Sequence, residues 1–257
     1  MDSETLLSVP RLSYTTALLT SVYLIRRVLQ DPNPPSKTPP SPPIDSKSQS
    51  TSAVPKSDFL FAAGYWLTPV PYINLYTAVA LYHALLSFLP ESQRPAVCPN
   101  YASPTSSLNK GLFAWTPYTL ITVTALILSG ALRIAAYANL GRAFTFHLTT
   151  PSGLVTTGLH GYIRHPSYTA LILNLIAMVS LFFRHDGVIS CFGPGSGTNL
   201  DTLRYAVEIC MKAWAVLVLP IWFFMRVRQE EGMLERVFGE EWVEYARKTR
   251  RFVPFVF

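Results

Sequence analysis

Two short stretches of this 257-residue chain concentrate the side chains able to do chemistry. Arg142, His147, His160, Arg164, His165 and Tyr168 fall within 27 positions, and Arg226, Arg228, Glu230 and Glu231 fall within two helical turns. Such a set can hold an anion with arginines, move protons with imidazoles and offer carboxylates to a cationic group. Taken singly, each element has a plainer reading. An arginine ending a membrane helix is an anchor, His165-Pro166 starts a helix with His165 capping it or solvated, and Glu230-Glu231 is a solvated helix face. The combination is what points to a site.

The elements that must position these residues are set by hydropathy. The chain is 49% hydrophobic and 14% charged, well below the roughly 25% charged residues of a soluble domain. The net charge of +6 comes without the arginine-rich arm, finger spacing or basic stripe of a nucleic-acid binder, so no nucleic acid is expected. Cys98, Cys191 and Cys210 are too few and too scattered for a disulfide framework or a zinc site; no metal is expected and the cysteines receive no role.

The pattern predicts an all-α, multi-spanning integral membrane protein with about five transmembrane helices. These run over Leu12 to Ile25 (extended by Leu6 and Leu7), Tyr72 to Leu89 after a piece broken by Pro69 and Pro71, Leu112 to Leu132, Ser167 to Phe183, and Val207 to Met225. The divisions are an N-terminal anchor helix (1–30), a disordered Pro/Ser linker (31–57), transmembrane helices (58–132) and a catalytic region (133–257). The opening Met1-Asp2-Ser3-Glu4 lacks the features of a cleaved signal, and no lipidation box closes the chain. His83 and Asn174 stand inside spans, as functional groups or as internally hydrogen-bonded ones. The tail from Gln229 to Arg247 reads as an amphipathic helix pair at the membrane surface, broken at Gly239.

With the C-terminus in the cytosol, the linker, the Arg133 to Arg164 loop and the tail share that side. Counted with the basic residues at their edges, from Arg26 to Lys56, Arg133 to Arg164 and Arg226 to Arg251, they hold 15 of the 21 lysines and arginines, as the positive-inside rule requires. Both polar clusters then meet at the cytosolic ends of spans four and five, where a water-soluble cofactor and a greasy substrate could meet.

The stretch from Leu154 to Tyr168, LVTTGLHGYIRHPSY, resembles the LVTxGxYxxxRHPxYxG signature of the isoprenylcysteine carboxyl methyltransferase family. Arg226-x-x-x-Glu230-Glu231-x-x-Leu234, Phe238-Gly239-Glu240-Glu241-Trp242-x-x-Tyr245 and Phe252-Val253-Pro254 are similar to its second block, so the resemblance covers Arg133 to Pro254. Two positions depart from it: His160 replaces the usual tyrosine and Ala170 the usual glycine.

The resemblance implies an S-adenosylmethionine-dependent methyltransferase of the endoplasmic reticulum membrane. It would esterify the C-terminal carboxylate of prenylated CaaX-type proteins, or of prenylcysteine itself, with its active site facing the cytosol. The cofactor site it implies uses Ser152, Gly153, Leu154, Val155, His160, His165, Pro166, Ser167, Tyr168 and Glu230. Arg226 would meet the substrate carboxylate, with Arg164 and Glu231 in support. A carboxylate acceptor needs no general base, so the protein would align two reactants and exclude water. A phosphatidylethanolamine-type phospholipid N-methyltransferase is the alternative, and its amine would lose a proton to His160 or His165. A sterol reductase-like protein using NADPH, or a non-enzymatic relative, is a more distant reading. His165→Ala is expected to weaken cofactor binding; unchanged affinity would reduce the Arg164-His165-Pro166 block to a helix start.

Overall fold

The computed structural model describes residues 8–30, 69–104, 106–141, 153–192 and 199–252. The 31–57 linker, Ser152, Arg142 and His147 lie outside them. The long helices are α1 (Val9–Val28), α2 (Pro69–Phe88), α3 (Pro117–Leu140), α4 (Pro166–Phe182), α5 (Asn199–Ala213), α6 (Leu219–Phe238) and the shorter α7 (Glu240–Lys248). A π-helical turn, Trp214–Val218, joins α5 to α6 without a break. Among the described residues there is no strand, only a parallel bridge between Ile163 and Arg250.

Local chemistry sets the ends. The side chain of Thr116 accepts from the Thr119 backbone N–H while Thr119 Oγ1 accepts from that of Thr116, a reciprocal cap that starts α3 at Pro117 rather than at Leu112. Arg133 does not end this helix as its charge predicts. It is buried, gives Nε to the Tyr137 hydroxyl and Nη1 to the Ser167 carbonyl at 3.2 Å, and α3 continues to Leu140. The fifth predicted span is likewise longer than Val207 to Met225, because α5 and α6 run on from Asn199 to Phe238. Gly239, at φ 53°, ends α6 where the sequence placed the break.

The core is a set of i, i+4 stripes: Tyr14, Leu18 and Val22 of α1 meet Tyr76, Ala80 and Ala84 of α2, with Val123 and Leu126 of α3 and Leu181 of α4. Outward, Ile121 and Leu128 of α3, Leu173 of α4, and Val216, Leu217 and Ile221 on the α5–α6 run stay exposed. By length and apolarity, Pro117–Leu140 and Thr202–Phe238 suffice to cross a membrane; Pro166–Phe182 and Ile73–Phe88 are shorter apolar helices. Several polar groups in the interior are satisfied internally. Asn174 Nδ2 donates to Ser129 Oγ at 2.9 Å, and His83 Nε2 and the Tyr14 hydroxyl both reach the Leu112 carbonyl at 2.8 Å.

The cysteines correct the sequence reading. Cys98 and Cys191, 93 positions apart, form a buried disulfide. Helices alternating in direction bring the α2–α3 and α4–α5 connections to the same end of the bundle, opposite the Arg164-His165 block. Asn100 Nδ2, bonded to the Ser190 carbonyl at 3.0 Å, ties the same two connections.

α1 and α3 approach closely at Gly130, where an added Cβ would stand 2.9 Å from Leu24 Cβ. Gly130→Val should therefore destabilise the bundle by about 1–3 kcal/mol through overpacking, read as a lower melting temperature in detergent. A wild-type melting temperature in the variant would contradict this close approach.

Candidate active site

Residues 223, 226, 227, 230 and 231 follow the spacing of one helical face, and α6 turns that face toward the start of α4. Phe223, Arg226, Val227 and Glu231 are buried there. The two clusters predicted from the sequence therefore meet in space.

Glu231 is their centre. Its Oε1 accepts from Arg164 Nη1 at 2.9 Å and from His165 Nε2 at 3.3 Å. Arg251 reaches both oxygens, with Nε at 3.0 Å and Nη2 at 2.8 Å from Oε2. The plain readings thus fail at three positions. Arg164 is an ion-pair partner rather than an anchor, Glu231 is buried rather than solvated, and His165, at the N-cap of α4, makes no cap bond with its side chain but turns inward to Glu231.

Beside this hub lies a second group. The Tyr168 hydroxyl donates to Glu230 Oε2 at 3.3 Å and also faces Arg226, one turn before Glu230 on α6. The ring of Tyr168 packs edge-on against Phe223 and His165, with centroids 5.7 Å away in both cases. Pro166 is buried at the first position of α4, where its missing N–H leaves nothing unpaired, and the Ser167 carbonyl is the acceptor for Arg133. Ala170 packs fully buried.

The third part is the turn at His160. Its Nδ1 lies 2.9 Å from Asn139 Oδ1, at the end of α3. That oxygen also receives the His160 backbone N–H at 3.4 Å, so Nδ1 carries the proton and Nε2 the lone pair. Gly158 makes room for this contact: its φ is +61°, and a Cβ there would lie 2.7 Å from Asn139 Nδ2. The Tyr245 hydroxyl donates to the His160 carbonyl at 2.7 Å; burial pushes its pKa up to about 12, which keeps it a donor. Trp242 and Tyr245 are buried against this segment, so the aromatic residues of α7 turn inward to the site. Among the described residues, no hydrogen bond or ion pair joins Gly153, Leu154 or Val155 to these groups.

A C-terminal strap closes the arrangement. The Arg164 and His165 backbone N–H groups donate to the carbonyls of Arg250 and Arg251 at 2.7 and 3.0 Å. Thr169 Oγ1 donates to the Phe252 carbonyl at 2.6 Å. Sequence reasoning missed Asn139, Arg133 and Arg251. Of these only Arg251 had a signal, a cation directly before the Phe252-Val253-Pro254 block.

Burial, reinforced by the charge of His165, lowers the His160 pKa to about 4. A histidine whose folded pKa lies below its unfolded value of about 6.5 makes the unfolded chain bind the extra proton. Its stabilising contribution is complete above that value and is lost as pH falls toward 4. The melting temperature should therefore drop across this window, and His160→Gln, which keeps a donor for Asn139, should flatten the drop; an unchanged slope would remove His160 as its source.

Residues 120–193 match the isoprenylcysteine carboxyl methyltransferase (ICMT) family, a stretch holding most of α3, the His160 turn, the Arg164-His165 block and α4. The chain is 29% identical over 139 residues to protein-S-isoprenylcysteine O-methyltransferase B of Arabidopsis thaliana, covering 52% of this chain and 58% of that protein. It is 26% identical over 140 residues to a probable protein-S-isoprenylcysteine O-methyltransferase of Oryza sativa subsp. indica, covering 53% and 61%. With the protein-S-isoprenylcysteine O-methyltransferase of Schizosaccharomyces pombe the identity is 24% over 148 residues, covering 56% and 52%. The chain thus spans a little over half the length of the curated relatives it matches. The resemblance carried by the Arg164-His165-Pro166-Ser167-Tyr168 block is to the isoprenylcysteine carboxyl methyltransferase family.

Proposed function

We propose that this protein transfers a methyl group from S-adenosylmethionine to the carboxylate of a C-terminal prenylated cysteine, forming a methyl ester. The observation that carries this reading is Arg226. It is a buried arginine at the end of a long uncharged helical run, set against Tyr168 and one turn from Glu230, beside the Glu231-centred block. The methyltransferase names of the matched relatives support the reaction class.

The residues suit such a donor. Glu230, whose described partner is the neutral Tyr168 hydroxyl, offers negative charge to sulfonium and ammonium groups, and the His165 and Tyr168 rings form apolar walls. When bound, the donor supplies an electrophilic methyl group: its S–CH3 bond breaks as the bond to the carboxylate oxygen forms, and no proton moves. The chain's own part is placement. Arg226 orients the carboxylate, Glu230 and Tyr168 temper its grip so that the oxygen remains nucleophilic, and the Glu231 hub fixes the His165 wall.

The phospholipid alternative loses support from the same geometry. An ammonium headgroup must be deprotonated first, but His160, with a pKa of about 4, is too weak a base for that work. His165 directs Nε2 at Glu231.

The same proposal places the protein in the endoplasmic reticulum membrane, with five crossings and the site toward the cytosol. The bias of basic residues supports this orientation. So does the Cys98–Cys191 disulfide at the opposite end, since such bonds persist in an oxidising lumen and not in the cytosol.

Membranes containing the chain, given radiolabelled S-adenosylmethionine with N-acetyl-S-farnesylcysteine and phosphatidylethanolamine side by side, test the reading. Base-labile label on the farnesylcysteine is expected; label on the lipid amine would promote the alternative. Arg226→Ala should cut transfer by about 10²-fold or more while donor affinity stays within about threefold. Equal loss of both would end its assignment to the acceptor.

A further inference from the structure

Arg251 holds the active-site block by two separate means. Its carbonyl accepts the backbone N–H of His165 at 3.0 Å, and its guanidinium grips Glu231, the carboxylate that receives the His165 ring at 3.3 Å. The two oxygens of Glu231 are divided. Oε1 serves Arg164 and His165, whereas Arg251 makes its shortest contacts to Oε2, at 2.8 and 3.0 Å. Without that second grip the carboxylate is free to rotate about its terminal torsion, which is broad, and Oε1 would no longer stand at one fixed place for the imidazole. Arg164 does not replace it, since its Nη1 lies on Oε1. The next residue, Phe252, adds a ring 6.1 Å from that of His165, so the strap fixes the imidazole through its backbone, its hydrogen-bond partner and its packing.

We propose that Arg251 is a positioning residue for methyl-donor binding, acting through Glu231 to set the orientation of the His165 ring. This rests on the reading of His165 to Tyr168 as a wall of the donor site. It assigns to the C-terminal strap a part in donor affinity, and none in recognition of the prenylcysteine, which falls to Arg226. Because the grip is a planar fork on a carboxylate, lysine would supply the charge without the geometry.

The test uses the full chain in lipid nanodiscs, with the Kd for S-adenosylhomocysteine measured by titration calorimetry and the KM values for S-adenosylmethionine and N-acetyl-S-farnesylcysteine measured separately. Arg251→Ala should raise the homocysteine Kd and the donor KM about tenfold, the order expected for one charge-assisted hydrogen bond, and leave the farnesylcysteine KM within about twofold. Arg251→Lys should recover part of the loss. Thr169→Val, which removes the strap's bond to Thr169 and that hydroxyl's 3.2 Å contact with the His165 carbonyl without touching Glu231 or the His165 ring, should hold both KM values within about twofold. An unchanged Kd, equal weakening of donor and acceptor, or a Thr169→Val variant matching Arg251→Ala would overturn the proposal. If the wild-type chain binds the homocysteine but leaves farnesylcysteine unmethylated, the acceptor assignment fails and the Kd comparison still decides the role of Arg251. A wild-type chain that does not bind it overturns both.

Discussion

Three side chains, Arg164, His165 and Arg251, converge on the single carboxylate of Glu231, and the site end of the bundle is organised around that convergence. They come from separate parts of the chain: the turn after His160, the start of α4 and the strap beyond α7. Bringing such groups out of water is costly unless each charge is met and each hydrogen-bonding position used, and removing one partner of a buried pair costs about 3–5 kcal/mol because the remainder is left uncompensated. A carboxylate with two oxygens and several lone pairs can answer several donors at once. Glu231 thereby fixes α6 against α4, beside Arg226, Tyr168 and Glu230, the residues proposed to address a ligand.

This division also explains the adjacent glutamates on α6. Glu231 lies deeper and meets cations, whereas Glu230 is only part-buried and meets a neutral hydroxyl. Successive residues on a helix point about 100° apart, so two acidic neighbours serve two different walls. One builds the block on which the imidazole rests, and the other stays beside the arginine that would hold an acceptor.

Much of this was legible in the sequence because residue type and spacing carried it. The Arg164 to Tyr168 block, the Arg226-Glu230-Glu231 spacing and the all-helical character could be read from the chain, as could the break at Gly239. The helix ends were misread where a charge was taken as a membrane edge: Arg133 stays within α3 because Tyr137 and the Ser167 carbonyl lie within its reach. Hydropathy sees the charge but not the partner. Taken singly, Arg164 and Glu231 have plain readings for the same reason, since each explains the other only once α4 and α6 are side by side. The disulfide was hidden by a separation of 93 residues, yet Cys98 and Cys191 both fell on the non-cytosolic side of the predicted topology. Asn139 had no local signal: its role depends on the positive φ of Gly158, which brings the His160 turn back over the end of α3.

The placement of Arg226 follows from the greasy run before it. No charge falls between Lys212 and Arg226, and these 13 residues rise roughly 20 Å at about 1.5 Å per residue, about two thirds of the roughly 30 Å of a bilayer's hydrocarbon core. The first arginine beyond that run stands where an apolar chain ends and water begins. In the proposed reaction that is the height at which the carboxylate of a lipid-anchored cysteine must present itself. Pro220 lies within this run, where its ring opposes the carbonyl one turn before it, and the π-helical turn Trp214–Val218 immediately precedes α6. A wider turn accommodates the proline without ending the helix. The end with the disulfide and the end with Glu231 therefore remain joined by one continuous element, and Arg226, the arginine proposed to meet a carboxylate, keeps a fixed depth relative to the bundle.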